Sequence, residues 1–351
     1  MTRSFEIVTS GKEEKMCVWS AYAGKDEAAP LLWDSLCRIE GVWGGFYTGL
    51  VTMDEKGLHW EKCVGCTEVW QKQYQLKDFP GHAGLIHSRT QSGGDAHRAH
   101  PFIGADGVVA LVSQGSSGVF NDNTAAFTGC ANAMLARGRK CRSAIPEEAT
   151  RTFTLTDGTC ASMSDIVVNA VEEQYLQHRD PIRAMKTACS SLPEESATIF
   201  LFRDRPGFIG FVNVNQHVVC DFEKDSVWLS VTSLGVPGYA MNIPGNSVGF
   251  VTASGEFHRE RLAENYPEID THIPEKALPA LRSAIRENPG LLLGQLCDLA
   301  IAPLFPHKSL EYCAAAAYLM LETLVNAGEV RLEPAIVPGW REIPGRIFRI
   351  Y

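Results

Sequence analysis

Met16-Cys17 lies near the start of the chain and leads directly into the apolar run Val18-Trp19-Ser20. A cysteine placed immediately after a methionine is positioned as a nucleophile that must also be the N-terminal residue. Its thiol would attack an acyl carbon. Its own free α-amine, with an ordinary pKa of about 7.7–8.0, would accept the proton and later return it. The alternative is one buried thiol among the eleven cysteines of the chain. Arg89 offers a rigid planar fork suited to a carboxylate, with a surface salt bridge as its alternative. Asp165 stands at the start of a helical stretch, where a carboxylate also serves as an N-cap. His87 and His100 read as structural, because a cysteine with its own amine needs no separate imidazole. Cys63-Val64-Gly65-Cys66 is a lone CxxC without a second pair, a weak metal or redox signal.

These residues need elements to hold them. Lys25 to Ile39 has a helical period stopped by Gly41. Gly44 to Val51 and Leu58 to Trp60 read as strands joined by a turn at Asp54 to Gly57. Thr67 to Leu76 reads as a short helix, followed by the apolar runs Gly84 to His87 and Val108 to Val112. Asn123 to Arg137 and Ser164 to Gln177 read as helices. From Ala197 the chain alternates short β-type runs: Thr198 to Phe202, Phe208 to Val212, Val218 to Cys220, Val227 to Val231 and Ser247 to Val251. Many strands with helices clustered between them predict two sheets with helices outside, not a parallel βαβ sheet. After about Leu262 the composition shifts. Helices are expected at Lys276 to Glu287, Leu291 to Ile301 and Ser309 to Asn326, then a hairpin from Glu329 to Leu332 and Arg346 to Ile350 around Pro338-Gly339. Three helices and a hairpin have the outline of a winged-helix module. The helix that would enter a DNA groove, Ser309 to Asn326, has no Lys or Arg, which favours a structural or protein-contact role.

The chain has 351 residues, 45% apolar and 21% charged, which suits a globular protein of two domains. A net charge of −9 without a basic block argues against non-specific nucleic-acid binding. No apolar run approaches the roughly 20 residues that span a bilayer. An odd number of scattered cysteines favours reduced thiols and a cytoplasmic setting. Residues 1–16 read as a leader, a propeptide or a mis-assigned start. The third is favoured, since Lys-Glu-Glu before Met16 can be encoded by a purine-rich string like a bacterial ribosome-binding site, so translation from Met16 with methionine removal would expose Cys17.

Residues 17 to about 262 resemble the glutaminase domain of class II glutamine amidotransferases, that of glucosamine-6-phosphate synthase (glutamine–fructose-6-phosphate aminotransferase) most closely. Met16-Cys17 stands where that family has Met-Cys-Gly-Ile, and Gly44-Gly45-Phe46-Tyr47-Thr48-Gly49-Leu50 matches its glycine-rich lead into a strand. His87-Ser88-Arg89-Thr90-Gln91-Ser92-Gly93-Gly94 parallels His-Thr-Arg-Trp-Ala-Thr-His-Gly, and Ala99-His100-Pro101 follows like Asn-Ala-His-Pro. Ala110 to Gly115 sits at Val-Val-His-Asn-Gly, and Ser162-Met163-Ser164-Asp165 echoes Ser-Glu-Thr-Asp. The resemblance implies an α+β fold, the four-layer αββα sandwich of the Ntn (N-terminal nucleophile) hydrolases, over residues 17–262, with the winged-helix-like module at 263–351. It implies Cys17 as nucleophile, Gln114 and Gly115 as oxyanion donors, Arg89 and Ser92 on the glutamine α-carboxylate, and Asp165 on its ammonium group. It asks for no metal or organic cofactor.

Four positions depart from the pattern: Gln114 replaces asparagine with one methylene more, Val18 a glycine, Thr90 an aromatic residue and Gly93 a histidine. Nothing after residue 262 resembles a sugar-isomerase, phosphoribosyltransferase or synthetase domain. Three readings follow. The first is a glutaminase that passes ammonia to an acceptor protein docked through the C-terminal module. The second is an amidohydrolase for another γ-glutamyl or acyl amide. The third is a binding or regulatory protein that keeps the pocket without the chemistry.

Overall fold

The computed structural model describes residues 16–351 apart from 92, 121, 149–151, 265, 267–272, 274 and 309, so Ser92 and residues 1–15 lie outside the described residues. The chain begins with β1 (Val18–Gly24), α1 (Ala28–Ile39), β2 (Tyr47–Asp54), β3 (Gly57–Val64), α2 (Thr67–Trp70) and β4 (Ala83–Arg89). Next come β5 (Phe102–Ile103), β6 (Val109–Ser116), α3 (Thr124–Ala136), β7 (Thr152–Thr154), β8 (Cys160–Ser162), α4 (Met163–His178) and α5 (Pro181–Ser191). A run of strands follows: β9 (Glu195–Phe202), β10 (Phe208–Asn213), β11 (Val219–Glu223), β12 (Ser226–Ser230), β13 (Met241–Asn242), β14 (Ser247–Thr252) and β15 (Phe257–Arg261). The last elements are α6 (Ala277–Glu287), α7 (Leu293–Leu296), α8 (Leu310–Asn326), β16 (Leu332–Pro338) and β17 (Pro344–Ile350).

Two antiparallel sheets form the centre, in the orders β13-β11-β12-β1-β4-β2-β3 and β15-β14-β10-β9-β6-β5. Side-chain alternation explains the layers. Ala110 and Val112 of β6 pack into the core between the sheets, whereas Val109 and Leu111 pack outward beneath Ile166, Val167 and Val171 of α4. On the other side, Leu32, Trp33, Leu36 and Ile39 of α1 join the core of the first sheet. The architecture is therefore the expected α+β sandwich, helices outside two sheets.

Six elements were not read from the sequence pattern: the short strands β5, β7, β8 and β13, the helix α5 and the edge strand β15. α5 begins at Asp180-Pro181, where the Asp180 carboxylate accepts from Arg183 N at 3.1 Å, and β15 is a charged edge strand. The helix expected over Leu291 to Ile301 is regular only over α7 and continues as a π-type turn at Cys297–Ile301.

The C-terminal helices and hairpin share their apolar core with the first sheet, through Leu281, Leu296, Tyr318, Leu321 and Phe348. The ring of Tyr318 meets Trp43 edge-on at 4.4 Å. Strand β17 docks by backbone, Arg346 N donating to Gly45 O at 2.8 Å and Phe348 N to Gly41 O at 2.7 Å. This close approach requires glycine: a Cβ at Gly45 would stand 1.8 Å from Arg346 O, at a φ of +94°. Among the described residues, no helix is long and apolar enough to cross a membrane.

Candidate active site

Cys17 immediately precedes β1, the central strand of the first sheet. The register pairs Val18 with Ser88 and Tyr47 with Arg89, which brings Cys17 level with the end of β4. From the second sheet, β6 delivers Ser113 and Gly115, and the segment before β9 delivers Glu194. Together with Arg98, His100, Phe102, Ser162, Met163 and Ser164, the residues Cys17, Arg89, Ser113, Gly115 and Glu194 line one pocket. Three of the residues expected at the site, Cys17, Arg89 and Gly115, therefore meet in space from three different strands or strand ends.

Each is fixed by its surroundings. Cys17 is 4% exposed, and its carbonyl accepts from the Tyr318 hydroxyl at 3.4 Å. Arg89 Nη1 donates to Arg98 O at 3.0 Å, and its guanidinium lies 5.2 Å from the centre of the Tyr47 ring. Gly115 has a φ of +120°, and a Cβ there would stand 2.2 Å from Glu195 O, so the backbone of β9 excludes any larger residue.

The other expected residues are placed differently. Gln114 is 2% exposed and turns its amide to Gln216, Nε2 donating to Oε1 at 3.4 Å. It does not line the pocket, because successive side chains of a strand point to opposite faces. Asp165 is wholly buried and also stands outside the lining. Its Oδ2 accepts from Ser143 N at 2.6 Å and its Oδ1 from Asn169 Nδ2 at 2.9 Å, so the carboxylate pins the 141–143 segment to α4. Burial raises its pKa above the usual carboxylate range, against the lowering hydrogen bonds from Ser143. Cys63 and Cys66 are free, buried thiols, both pushed up to about 12 by burial.

His87 is fully buried, its Nε2 donating to Ser113 O at 3.0 Å, with its ring 4.1 Å from that of His100. Burial lowers its pKa to about 3, which keeps it neutral as a strut between the two sheets.

Three charged residues around the pocket were not singled out in the sequence. Arg98, 2% exposed, donates from Nη1 to Cys160 O at 2.9 Å and from Nη2 to Glu147 O, tying the pocket wall to β8. Its signal was proximity, two residues before His100-Pro101 of the family-like motif. Lys62 holds the same wall from behind, Nζ donating to Ala99 O at 2.6 Å and Pro101 O at 3.1 Å. Burial lowers its pKa to about 8. Glu194 is 7% exposed and its Oε1 accepts from Thr198 Oγ1 at 3.4 Å. Its only sequence mark was its place in the pair Glu194-Glu195 shortly before the β-type run Thr198 to Phe202.

No family model matches the chain, and no curated protein matches it. Solved structures do. The chain is similar to the glutamine phosphoribosylpyrophosphate amidotransferase from B. subtilis at 15% identity and a TM-score of 0.54, over 88% of this chain and 64% of that one. It is also similar to a structure described as the allosteric regulatory enzyme of purine biosynthesis, at 14% identity and a TM-score of 0.56, over 86% and 63% of the respective chains. The chain thus spans a little under two thirds of the length of each. At these identities the likeness shows the fold alone, a sandwich of two antiparallel sheets with helices outside that this chain shares with both structures.

Proposed function

We propose that the chain is a glutaminase-type amidohydrolase that releases ammonia from the side-chain amide of L-glutamine. The observation that carries this reading is the convergence of Cys17, Arg89 and Gly115 on one pocket. The Cys17 thiol adds to the amide carbon, and its proton passes to the α-amine that a chain starting at Cys17 would carry. The amine returns the proton to the leaving nitrogen, ammonia departs, and a thioester remains. Water then adds to the thioester and the thiol leaves with glutamate as product. The backbone N–H of Gly115 is the oxyanion donor of this scheme, a role typically worth about 100- to 1000-fold in rate. Arg89 holds the α-carboxylate in a charge-assisted pair. Cys17→Ala is expected to abolish ammonia release while the protein stays folded. Release near the wild-type rate in that variant would exclude Cys17 as nucleophile.

A second reading, glutamine binding without turnover, draws on the Gln114 amide, which faces Gln216 instead of the pocket. Measurable glutamine affinity with no ammonia release, and no adduct at Cys17 from a glutamine-mimicking electrophile, would select it.

A further inference from the structure

The charged side chains that line the pocket are Arg89, Arg98 and Glu194. An α-amino acid presents the complementary pair, one carboxylate and one ammonium group. Taking a charged group out of water costs several kcal/mol unless the site supplies a counter-ion, so a pocket for a zwitterion needs both signs. The arginines supply the positive side. Arg98 is a rigid wall, two of its nitrogens already donating to Cys160 O and Glu147 O. Arg89 is held by Arg98 O and the Tyr47 ring.

The negative side falls to Glu194. It is the one carboxylate among the described residues that line the pocket, and it enters from the second sheet, away from the β4 end that carries Arg89. Asp165, to which the resemblance assigns the ammonium group, has each oxygen committed, one to Ser143 N and one to Asn169 Nδ2. Its carboxylate is the clamp of a loop. Resting on the glutamine reading above, we infer that Glu194, not Asp165, is the counter-ion for the substrate's α-ammonium group. Glu194 is then the residue that makes the pocket prefer an α-amino acid amide over a plain acyl amide.

The test compares ammonia release from L-glutamine with release from glutaramate, the same molecule without its amino group. Wild type is expected to prefer glutamine. In Glu194→Gln, kcat/KM for glutamine should fall by about 100-fold and the preference collapse to near parity, with glutaramate little changed. Asp165→Asn should keep the preference. A Glu194→Gln enzyme that still prefers glutamine, or an Asp165→Asn enzyme that does not, overturns the assignment while leaving the glutaminase reading intact. A wild-type protein that acts on neither substrate overturns that reading, and the assignment with it. Should Glu194→Gln fail to fold, the structure of Cys17→Ala with bound L-glutamine decides. The α-nitrogen is expected within about 3.2 Å of the Glu194 carboxylate. An α-nitrogen seated on Asp165 or on backbone carbonyls alone refutes the assignment.

Discussion

Replacing Glu322 by glutamine tests whether the C-terminal helix belongs to the frame of the site. Glu322 projects from α8 and is 5% exposed. Its Oε1 accepts from His217 Nε2 at 3.0 Å and Ser233 N at 3.1 Å, and its Oε2 from Ser233 Oγ at 2.7 Å. One turn earlier on the same face is Tyr318, whose hydroxyl reaches the carbonyl of Cys17. The carboxylate thus anchors the helix that covers the nucleophile's backbone. Burial pushes its pKa up, but the His217 hydrogen bond and charge, with Thr232 and Ser233, outweigh burial and hold it below the usual range. Hydrogen bonds to a charged group contribute about 1.5–3 kcal/mol against about 1 for neutral ones. Glu322→Gln keeps the shape and can keep the contacts with its NH2 donating to Ser233 Oγ, but it loses the charge on all three, which sums to about 2–3 kcal/mol. At about 2.1 cal/mol/K of unfolding entropy per residue, a chain of 351 residues shifts by about 1.4 °C per kcal/mol, so the midpoint should fall by about 3–4 °C. The sign with pH follows from the lowered folded pKa. The wild-type advantage is complete above the unfolded value of about 4.3 and is lost as pH falls through the folded one. Urea unfolding of both proteins at pH 7 and at steps below pH 4 measures this. A variant as stable as wild type at pH 7, or a gap that widens in acid, would refute the reasoning.

Two further perturbations address the pocket. Arg89→Ala should raise KM for glutamine by about 100-fold with kcat changed only a few-fold, since the arginine binds ground state and transition state alike; the opposite split in steady-state kinetics would contradict that role. His87, with a folded pKa of about 3 against an ordinary value near 6.5, contributes stability that is full above about pH 6.5 and lost as pH falls towards 3. Replacing it by glutamine should flatten the fall of unfolding free energy with acidity by up to about 1.4 kcal/mol per pH unit, and parallel wild-type and variant curves would show that the imidazole titrates freely.

What the sequence made legible was whatever repeats locally. The strand pattern around Gly44 to Leu50 and the helical period after Lys25 are visible because each apolar residue faces the same layer. Helix α5 escaped although Pro181, Ala184, Met185, Ala188 and Cys189 keep a helical period and Asp180-Pro181 is a helix start, because a stripe made mostly of alanine and cysteine is only weakly apolar. Strand β15, Phe-His-Arg-Glu-Arg, is charged because it is an edge, and edges carry charge to prevent further pairing. At the pocket, motif order was enough for Cys17, Arg89 and Gly115. Arg98, Lys62 and Glu194 come together only through the cross-strand register and the stacking of two sheets, which no local pattern encodes. Gln114 shows the same limit in miniature: its neighbour Gly115 lines the pocket, and the alternation of the strand sends its own side chain to Gln216.

The nitrogen of Cys17 decides between a pocket and a catalyst. In the described structure that nitrogen is bonded to Met16, whose side chain is 2% exposed and packed in the core of the first sheet. An acylated nitrogen is no base, so the scheme proposed above operates only in a chain whose first residue is Cys17. Losing Met16 empties an apolar site beside the thiol. Removing a buried side chain of that size costs about 2–5 kcal/mol, at the lower end where water from an adjoining pocket enters the space. Protein prepared to begin at Cys17 should therefore unfold more readily than protein beginning at Met16, by about 2 kcal/mol, and should alone release ammonia and accept one electrophile adduct at Cys17. Equal ammonia release from the two, measured after intact masses have verified both starts, would remove the α-amine as the base and require another proton acceptor within reach of the thiol.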